Sequence, residues 1–376
     1  MMFSKKKKTF VTIFPNCENI HLIKDVGMIP YLLYKNHHYD SYIAGYSDGP
    51  FPYLESDVRG LKTLKIKKIF SGNETLNILF FLLLHLRKID VINFYHFSLQ
   101  KVLLCFIFKV LTFGRGKSYI KLDANDSILD QEYTGLKRKL IGHLVKYVDI
   151  ISAEIESIVN ALNEKNIFGK EVFLISNGFY SQNIPDVPYG KKKKRCITVS
   201  RLDDPGKSNL TLIEGFLTFC KQNPDNDWDF VLVGAYSEEF LSDIRNITDK
   251  YAGFADRIIL IGAVYDRMEL AKLYEESALF LFASLSESFG FVYLEALSNK
   301  CFIISTPLNP CKEITDNWKY AAVFNYQNPD DLAVKIKETI AKDDLEKLSR
   351  EGAEYVYSKY YWPIIIDKLN NKLLKL

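Results

Sequence analysis

The stretch that most constrains the fold runs from Ala278 to Ala296. Ala278–Ala283 reads Ala-Leu-Phe-Leu-Phe-Ala, the short unbroken apolar run of a strand buried on both faces of a parallel sheet. Past Gly290, the residues Phe291, Val292, Leu294 and Leu297 fall at helical spacing. A buried strand therefore hands the chain to a loop at Glu287, and a helix beginning near Gly290 carries Glu295 in its second turn. Open α/β sheets bind ligands in the crevice beyond the carboxyl ends of their strands, where free N–H groups at a helix start favour anions. Two carboxylates with seven residues between them are thus aimed at a ligand crevice. The plain alternative makes Glu287 a loop residue and Glu295 a solvated helix position.

One such unit does not account for the chain. With 376 residues, 48% hydrophobic and 25% charged, it is too long for one typical core, so two domains are expected. The net charge of +3 marks no general nucleic-acid binder. Six cysteines lie scattered without a Cys-x-x-Cys pair, which fits reduced, buried thiols in a cytoplasmic protein. All six histidines stand at or before His143, so local sequence assembles no Cys/His zinc site. Met1 to Lys8 is basic, but the apolar run that follows, Phe10 to Phe14, is too short for a secretory signal.

The first half opens with a β-branched and aromatic strand, Thr9–Phe14, stopped by Pro15-Asn16. A helical pattern spans Met28 to Tyr34 and a second strand Ser41 to Ala44. Gly45-Tyr46-Ser47-Asp48-Gly49 matches a hydrolase nucleophile elbow, but Pro50-Phe51-Pro52 disfavours the helix that the elbow needs, so a turn is expected. The apolar stretch Leu76–Leu86 is too short to span a membrane. A strand at Asp90–Phe94 precedes an apolar helix at Ser98–Phe113, punctuated by Lys101 and Lys109 and followed by Arg115 and Lys117. Burial against the sheet explains that apolar face; contact with an anionic membrane is the competing reading. Ser118–Leu122 is a strand running into the polar loop Asp123-Ala124-Asn125, and Tyr147–Ala153 and Val172–Gly178 read as the last strands of this half. Ser181–Gly190, with Pro185, Pro188 and Gly190, reads as the linker. The expected domains are 1–185 and 186–360, with a helix over 361–376 returning to the first.

The second half repeats the alternation of strand and helix, which marks a parallel sheet of the nucleotide-binding kind. Strands are expected at Cys196–Ser200, Asp229–Val233, Arg257–Ile261 and Cys301–Ser305, and helices at Leu210–Phe219 and Met268–Ser277. Gly206-Lys207-Ser208 is no P-loop, because the glycine required five positions earlier is Arg201. No Gly-x-Gly-x-x-Gly occurs, which argues against a dehydrogenase. Asp225-Asn226-Asp227 precedes a strand rather than following one and reads as a turn, not a metal site.

Ser284 to Ala296, Ser-x-x-Glu-x-Phe-Gly-x-x-x-x-Glu-Ala, resembles the donor-site signature of the retaining glycosyltransferases of family 4 (glycosyl transferases group 1). The resemblance implies α/β architecture of the GT-B type: two Rossmann-like domains facing each other across a cleft, with the C-terminal helix returning to the N-terminal domain. It implies that Glu287 lies at the donor sugar and that Glu295 hydrogen-bonds the nucleotide ribose. Phe289, Gly290 and Phe291 complete the donor loop, Val264 lies against the nucleobase, and Arg201 and Lys207 hold the diphosphate. Two cations there would stabilise the departing diphosphate more in the transition state than in the ground state. No metal and no cofactor are then needed; the nucleotide sugar is a co-substrate. The partners implied are that donor and a glycan or lipid-linked acceptor, with surface polysaccharide or glycoconjugate synthesis as setting, in the cytoplasm or peripherally on the inner face of the cell membrane. The chain departs from the family in three places. The Arg201–Lys207 spacing is about one residue longer than usual, and Ser200 stands where glycine is common. Asp123 and Asn125 stand near where relatives often carry a histidine, which makes Asp123 the candidate for the acceptor hydroxyl. A nucleotide-sugar epimerase of the same fold and a catalytically silent nucleotide-sugar binder are the alternatives.

Overall fold

In the computed structural model, which describes residues 7–47, 49–130, 135–180 and 189–376, the chain divides into two units. One comprises Met1–Gly178 with Trp362–Leu376, the other Phe179–Tyr361. The expected linker, Ser181–Gly190, lies outside the described residues apart from its last two, and so does Asp48 of the Gly45–Gly49 turn.

Seven parallel strands build the sheet of the first unit: β1 (Thr9–Ile13), β2 (Asp40–Gly45), β3 (Lys62–Lys65), β4 (Val91–Tyr95), β5 (Lys117–Lys121), β6 (Ile150–Ala153) and β7 (Phe173–Leu174). Their order, β3-β2-β1-β4-β5-β6-β7, reverses direction at β1, so a crevice opens between the carboxyl ends of β1 and β4. The connecting helices are α1 (Asp25–His37), α2 (Glu74–His85), α3 (Leu99–Leu111), α4 (Gly135–Leu144) and α5 (Glu156–Glu164). Asn73 and Ser98 cap α2 and α3 by accepting N–H bonds from Leu76 and Lys101. The strand β3 escaped sequence reading because Lys-Thr-Leu-Lys lacks an apolar face; its lysines suit an exposed edge. The last strand is shorter than Val172–Gly178: β7 ends at Leu174, the Ile175 N–H still donates to the Ala153 carbonyl at 3.1 Å, and Ser176 and Asn177 beyond it are buried outside the strand. After Ser47, which is exposed, the chain makes only a short 3-10 turn at Pro52–Leu54, so the helix of a nucleophile elbow is absent there.

The C-terminal helix, Trp362–Leu374, belongs to this first unit. Its buried stripe of Ile365, Ile366, Leu369 and Leu373 removes four aliphatic side chains from water, each stabilising by about 1.5–3 kcal/mol. Polar contacts to the end of α1 and the turn after it fix its register: His37 Nε2 meets Asp367 at 2.9 Å, and Tyr39 Oη donates to Asn370 Oδ1 at 3.1 Å.

The second unit carries six parallel strands: β8 (Lys193–Val199), β9 (Asp229–Val233), β10 (Ile258–Gly262), β11 (Ser277–Phe282), β12 (Phe302–Ser305) and β13 (Ala321–Val323). The order β10-β9-β8-β11-β12-β13 is that of a doubly wound dinucleotide fold, with its reversal between β8 and β11. Every residue of β11 is buried, as the apolar run required. Helices α6 (Asn209–Gln222), α7 (Glu238–Thr248), α8 (Arg267–Glu276), α9 (Phe291–Ser298), α10 (Asn309–Ile314), α11 (Pro329–Ile340) and α12 (Leu345–Lys359) cover the sheet. Leu212, Phe216, Phe219, Phe230, Leu279, Leu281 and Leu332 are among its buried core. Among the described residues no helix is long and apolar enough to cross a membrane.

Candidate functional site

The reversal between β8 and β11 brings the loops after these two strands together. After β8, Asn209 (3% exposed) donates to the backbone carbonyls of Arg201 and Leu202 at 3.3 and 3.0 Å and pairs with Ser200 Oγ, knotting the loop where it leaves the sheet. Only glycine fits at Gly234, at the end of β9: a Cβ there would lie 1.7 Å from the Ser200 carbonyl oxygen. The loop then makes a 3-10 turn, Pro205–Lys207, whose first N–H groups are satisfied by Asp204, the Gly206 N–H reaching Oδ1 at 2.9 Å. The turn is tied to the loop after β11 by the Leu285 N–H, which donates to the Gly206 carbonyl at 2.9 Å.

Lys207 is delivered by that turn onto the end of β11. Its ammonium lies 5.1 Å from the centroid of the Phe282 ring, donates to Ser284 Oγ at 3.3 Å and forms an ion pair with Glu287. Both side chains are mostly buried, 22% and 16% exposed, so the attraction acts where solvent screens it less than at an open surface. The loop that carries Glu287 is itself held. Ser284 N–H donates to Thr306 Oγ1, Thr306 Oγ1 to the Ser284 carbonyl, and Ser284 Oγ to the Ser286 carbonyl at 3.0 Å.

Gly290 precedes α9 with φ +85°, and a Cβ there would lie 2.5 Å from the ring of Tyr293. Glycine is what allows the chain to turn sharply into the helix with that ring packed beneath it. Phe289 is buried, Phe291 half-buried, and their rings meet edge to face at 5.4 Å. Glu295, in the second turn of α9, accepts a hydrogen bond at 3.1 Å from Tyr274 Oη at the end of α8. Burial first, and then the neighbouring Glu295 carboxylate, push the Tyr274 phenol well above its ordinary range, so it stays a donor. Sequence reasoning missed Tyr274, because a tyrosine in an amphipathic helix carries no signal of its own.

The structure thus joins Lys207 and Glu287 directly. Arg201 stands apart from that pair: its guanidinium is 78% exposed and bonds Asp204 at 2.6 Å. Val264 is half-buried in the loop after β10, which is tied to β9 by Gly234 N–H donating to Gly262 O at 2.9 Å. A hollow of about 480 Å³ adjoins the Leu202–Ser208 loop, lined among others by Asp204, Ser208, Asn209, Ser237 and Asp243. Neither Lys207 nor Glu287 lines it. Among the described residues no group of His, Cys, Asp or Glu is arranged to hold a metal ion.

Asp123 belongs to the first unit, just past β5, with its backbone in the left-handed region at φ +46°. Its carboxylate is half-buried and makes no hydrogen bond or ion pair among the described residues. Beneath it lies a constellation that the sequence did not announce. Lys121 and Glu154, 0% and 1% exposed, pair at 3.0 Å, and Asp25 and Tyr95 are buried beside them.

Residues 193–342, the greater part of the second unit, match the family model described as glycosyl transferases group 1. The fold, two Rossmann-like units of seven and six parallel strands, is that of GT-B glycosyltransferases. Among particular proteins, a probable sucrose-phosphate synthase of Thermosipho melanesiensis is 31% identical over 192 residues, a match that covers 50% of this chain and 42% of that protein. Similar solved structures include HepE of Anabaena in complex with UDP and glucose, with a TM-score of 0.71 at 14% identity over 98% of this chain and 100% of that one. A glycosyltransferase of Rickettsia africae reaches a TM-score of 0.72 at 17% identity, over 97% of each chain.

Proposed function

We propose that the protein is a retaining glycosyltransferase that moves a sugar from a nucleotide sugar, UDP-linked in the first instance, to a hydroxyl of a glycan or lipid-linked acceptor. The observation that carries this reading is the Lys207–Glu287 pair at the topological reversal of the second unit, beside the Gly290 turn into α9. In the reaction the bond from the sugar's anomeric carbon to the diphosphate breaks, with its electron pair leaving on the diphosphate. The acceptor oxygen bonds that carbon, and the hydroxyl proton leaves on the diphosphate oxygen. Lys207 and Arg201 neutralise the charge that accumulates there, so their attraction grows toward the transition state, and a metal ion is dispensable. Glu287 orients the sugar by accepting from its hydroxyls. Glu295 holds the ribose, Val264 lies against the base, and Phe289, Gly290 and Phe291 shape the wall. In the first unit Asp123 accepts from the acceptor hydroxyl. The UDP and glucose bound by HepE support the choice of donor.

The acceptor's setting is proposed from the surface of the first unit. The neighbouring helices α2 and α3 leave Leu83, Leu84, Leu103 and Val110 exposed, and Phe113 just past α3 is 91% exposed. Exposed Arg87, Lys88 and Arg115 accompany them. Apolar side chains flanked by cations fit an anionic membrane surface. Lys101 and Lys109 take less part in it than the sequence suggested, because they bond inward to the Tyr95 carbonyl and to Asp149.

The test is incubation of the protein with UDP-glucose and a panel of p-nitrophenyl glycosides, followed by NMR of the products. Transfer with the donor's anomeric configuration kept supports the reading. Isomerised sugar nucleotide without acceptor would make the protein an epimerase, and tight binding without turnover would make it a silent partner.

A further inference from the structure

A fully buried ion pair is a poor way to stabilise a sheet, since apolar residues of similar volume commonly do as well or better. The Lys121–Glu154 pair therefore calls for another reason, and its contacts supply one. Lys121, the last residue of β5, donates from Nζ to the Ile175 carbonyl at 2.8 Å as well as meeting Glu154 Oε1 at 3.0 Å. Glu154, the first residue past β6, spends both oxygens on consecutive amides of the loop after β5. The Asp123 N–H donates to Oε1 at 3.0 Å and the Ala124 N–H to Oε2 at 3.2 Å. Asp123, whose amide is half of this grip, is in the left-handed conformation, φ +46°, a region that non-glycine residues enter seldom, though aspartate more readily than most. A carboxylate that accepts from two successive amides imposes such a turn. The buried ammonium, 3.0 Å from Oε1, holds that carboxylate in place. The parallel register places the ends of β5 and β6 side by side, Lys121 opposite Ser152, so the neighbouring strand can reach the Asp123 loop.

We propose that Glu154, locked by Lys121, is a positioning residue: it sets the backbone of Asp123 so that the free carboxylate presents itself to an acceptor hydroxyl. This rests on the acceptor-side role of Asp123 given above. A purely structural pair would hold the sheet together without regard to where Asp123 points.

The experiment compares Asp123→Asn, the double variant Lys121→Met/Glu154→Met and the triple variant. The double variant is used because Glu154→Gln alone strands a buried cation. UDP release from UDP-glucose is followed with the p-nitrophenyl glycoside panel, and UDP affinity is measured separately. The expected result is that Asp123→Asn and the double variant each lower UDP release at least tenfold, with UDP Kd unchanged within twofold. The triple variant should then be no worse than Asp123→Asn, since the groups act through one carboxylate. Effects of the double variant and of Asp123→Asn that multiply would overturn the proposal. So would a folded double variant within twofold of the parent while Asp123→Asn is impaired. An Asp123→Asn protein with undiminished turnover would instead remove the acceptor-side role itself, and the proposal with it. Independently of whether the variants fold, native-state hydrogen exchange on the unaltered protein should show the Asp123 and Ala124 amides exchanging at least a hundredfold more slowly than exposed Asn125. Equal rates would refute the clamp.

Discussion

Replacing Lys207 by alanine is the sharpest perturbation of the proposed donor site. At an effective dielectric of about 20, a unit charge about 4 Å from a developing phosphate charge is worth roughly 4 kcal/mol. Lys207 retains some solvent, at 22% exposure, and shares its ammonium with Glu287 and Ser284, so about half of that, roughly 2 kcal/mol, is the share specific to the transition state. The expected loss is therefore about 30-fold in kcat. The cost to the fold is smaller: a partly buried ion pair contributes about 1 kcal/mol, which lowers Tm by about 2–4 °C in a unit of this size. The assay is the initial rate of UDP release from saturating UDP-glucose, with a thermal melt of the same preparation. Turnover within threefold of the parent, in a variant that melts normally, would refute the placing of Lys207 at the diphosphate. Glu287→Gln, which removes the charge but keeps the shape, should lower the rate by more than tenfold in the same assay.

Gly290→Ala forces a Cβ to 2.5 Å from the Tyr293 ring at φ +85°; the left-handed backbone alone costs about 1–2 kcal/mol. The second unit should melt about 5 °C or more lower, and UDP release should fall at least tenfold; a melt unchanged within 1 °C would contradict the geometry. Asp25 is pushed up to about 7 by burial, with Asp123 and Glu154 adding to the shift and Lys121 opposing it. The folded protein therefore holds a proton that the unfolded chain, near its ordinary 3.8, has lost. Stability should fall as pH rises from about 4 to about 7, by up to about 1.4 kcal/mol per pH unit, and Asp25→Asn should flatten that slope and melt higher than the parent at pH 8. Parallel melting curves across this range would count against a buried Asp25. Vesicles of phosphatidylglycerol should sediment the protein, and Val110→Asp/Phe113→Asp should reduce the bound fraction at least fivefold while leaving UDP Kd unchanged; equal binding would move the membrane contact elsewhere.

What could be read from the chain depended on whether a feature is local. Strand β11, the Gly290 step and α9 are contiguous, and the unbroken apolar run followed by helical spacing is legible without neighbours. The pairing of Lys207 with Glu287 needed the resemblance, since 80 residues separate them and only the order of β8 and β11 joins their loops. The Lys121–Glu154 clamp was illegible for the same reason. Asp25 at the start of α1, and Tyr95, Lys121 and Glu154 at the ends of β4, β5 and β6, are single polar residues, each indistinguishable in sequence from a solvated loop position. Strand β3 was hidden because an edge strand with lysines on it has no apolar alternation, and β7 was overestimated because its apolar run continues after the ladder stops.

The proposed Lys207–Glu287 site would hold the diphosphate of a nucleotide sugar without a metal ion. Titration calorimetry of UDP-glucose in EDTA, on the parent protein and on Lys207→Ala, measures this directly. The parent should bind one-to-one, and the variant at least tenfold more weakly. Equal affinities, or binding by the parent only when a divalent cation replaces the EDTA, would contradict it.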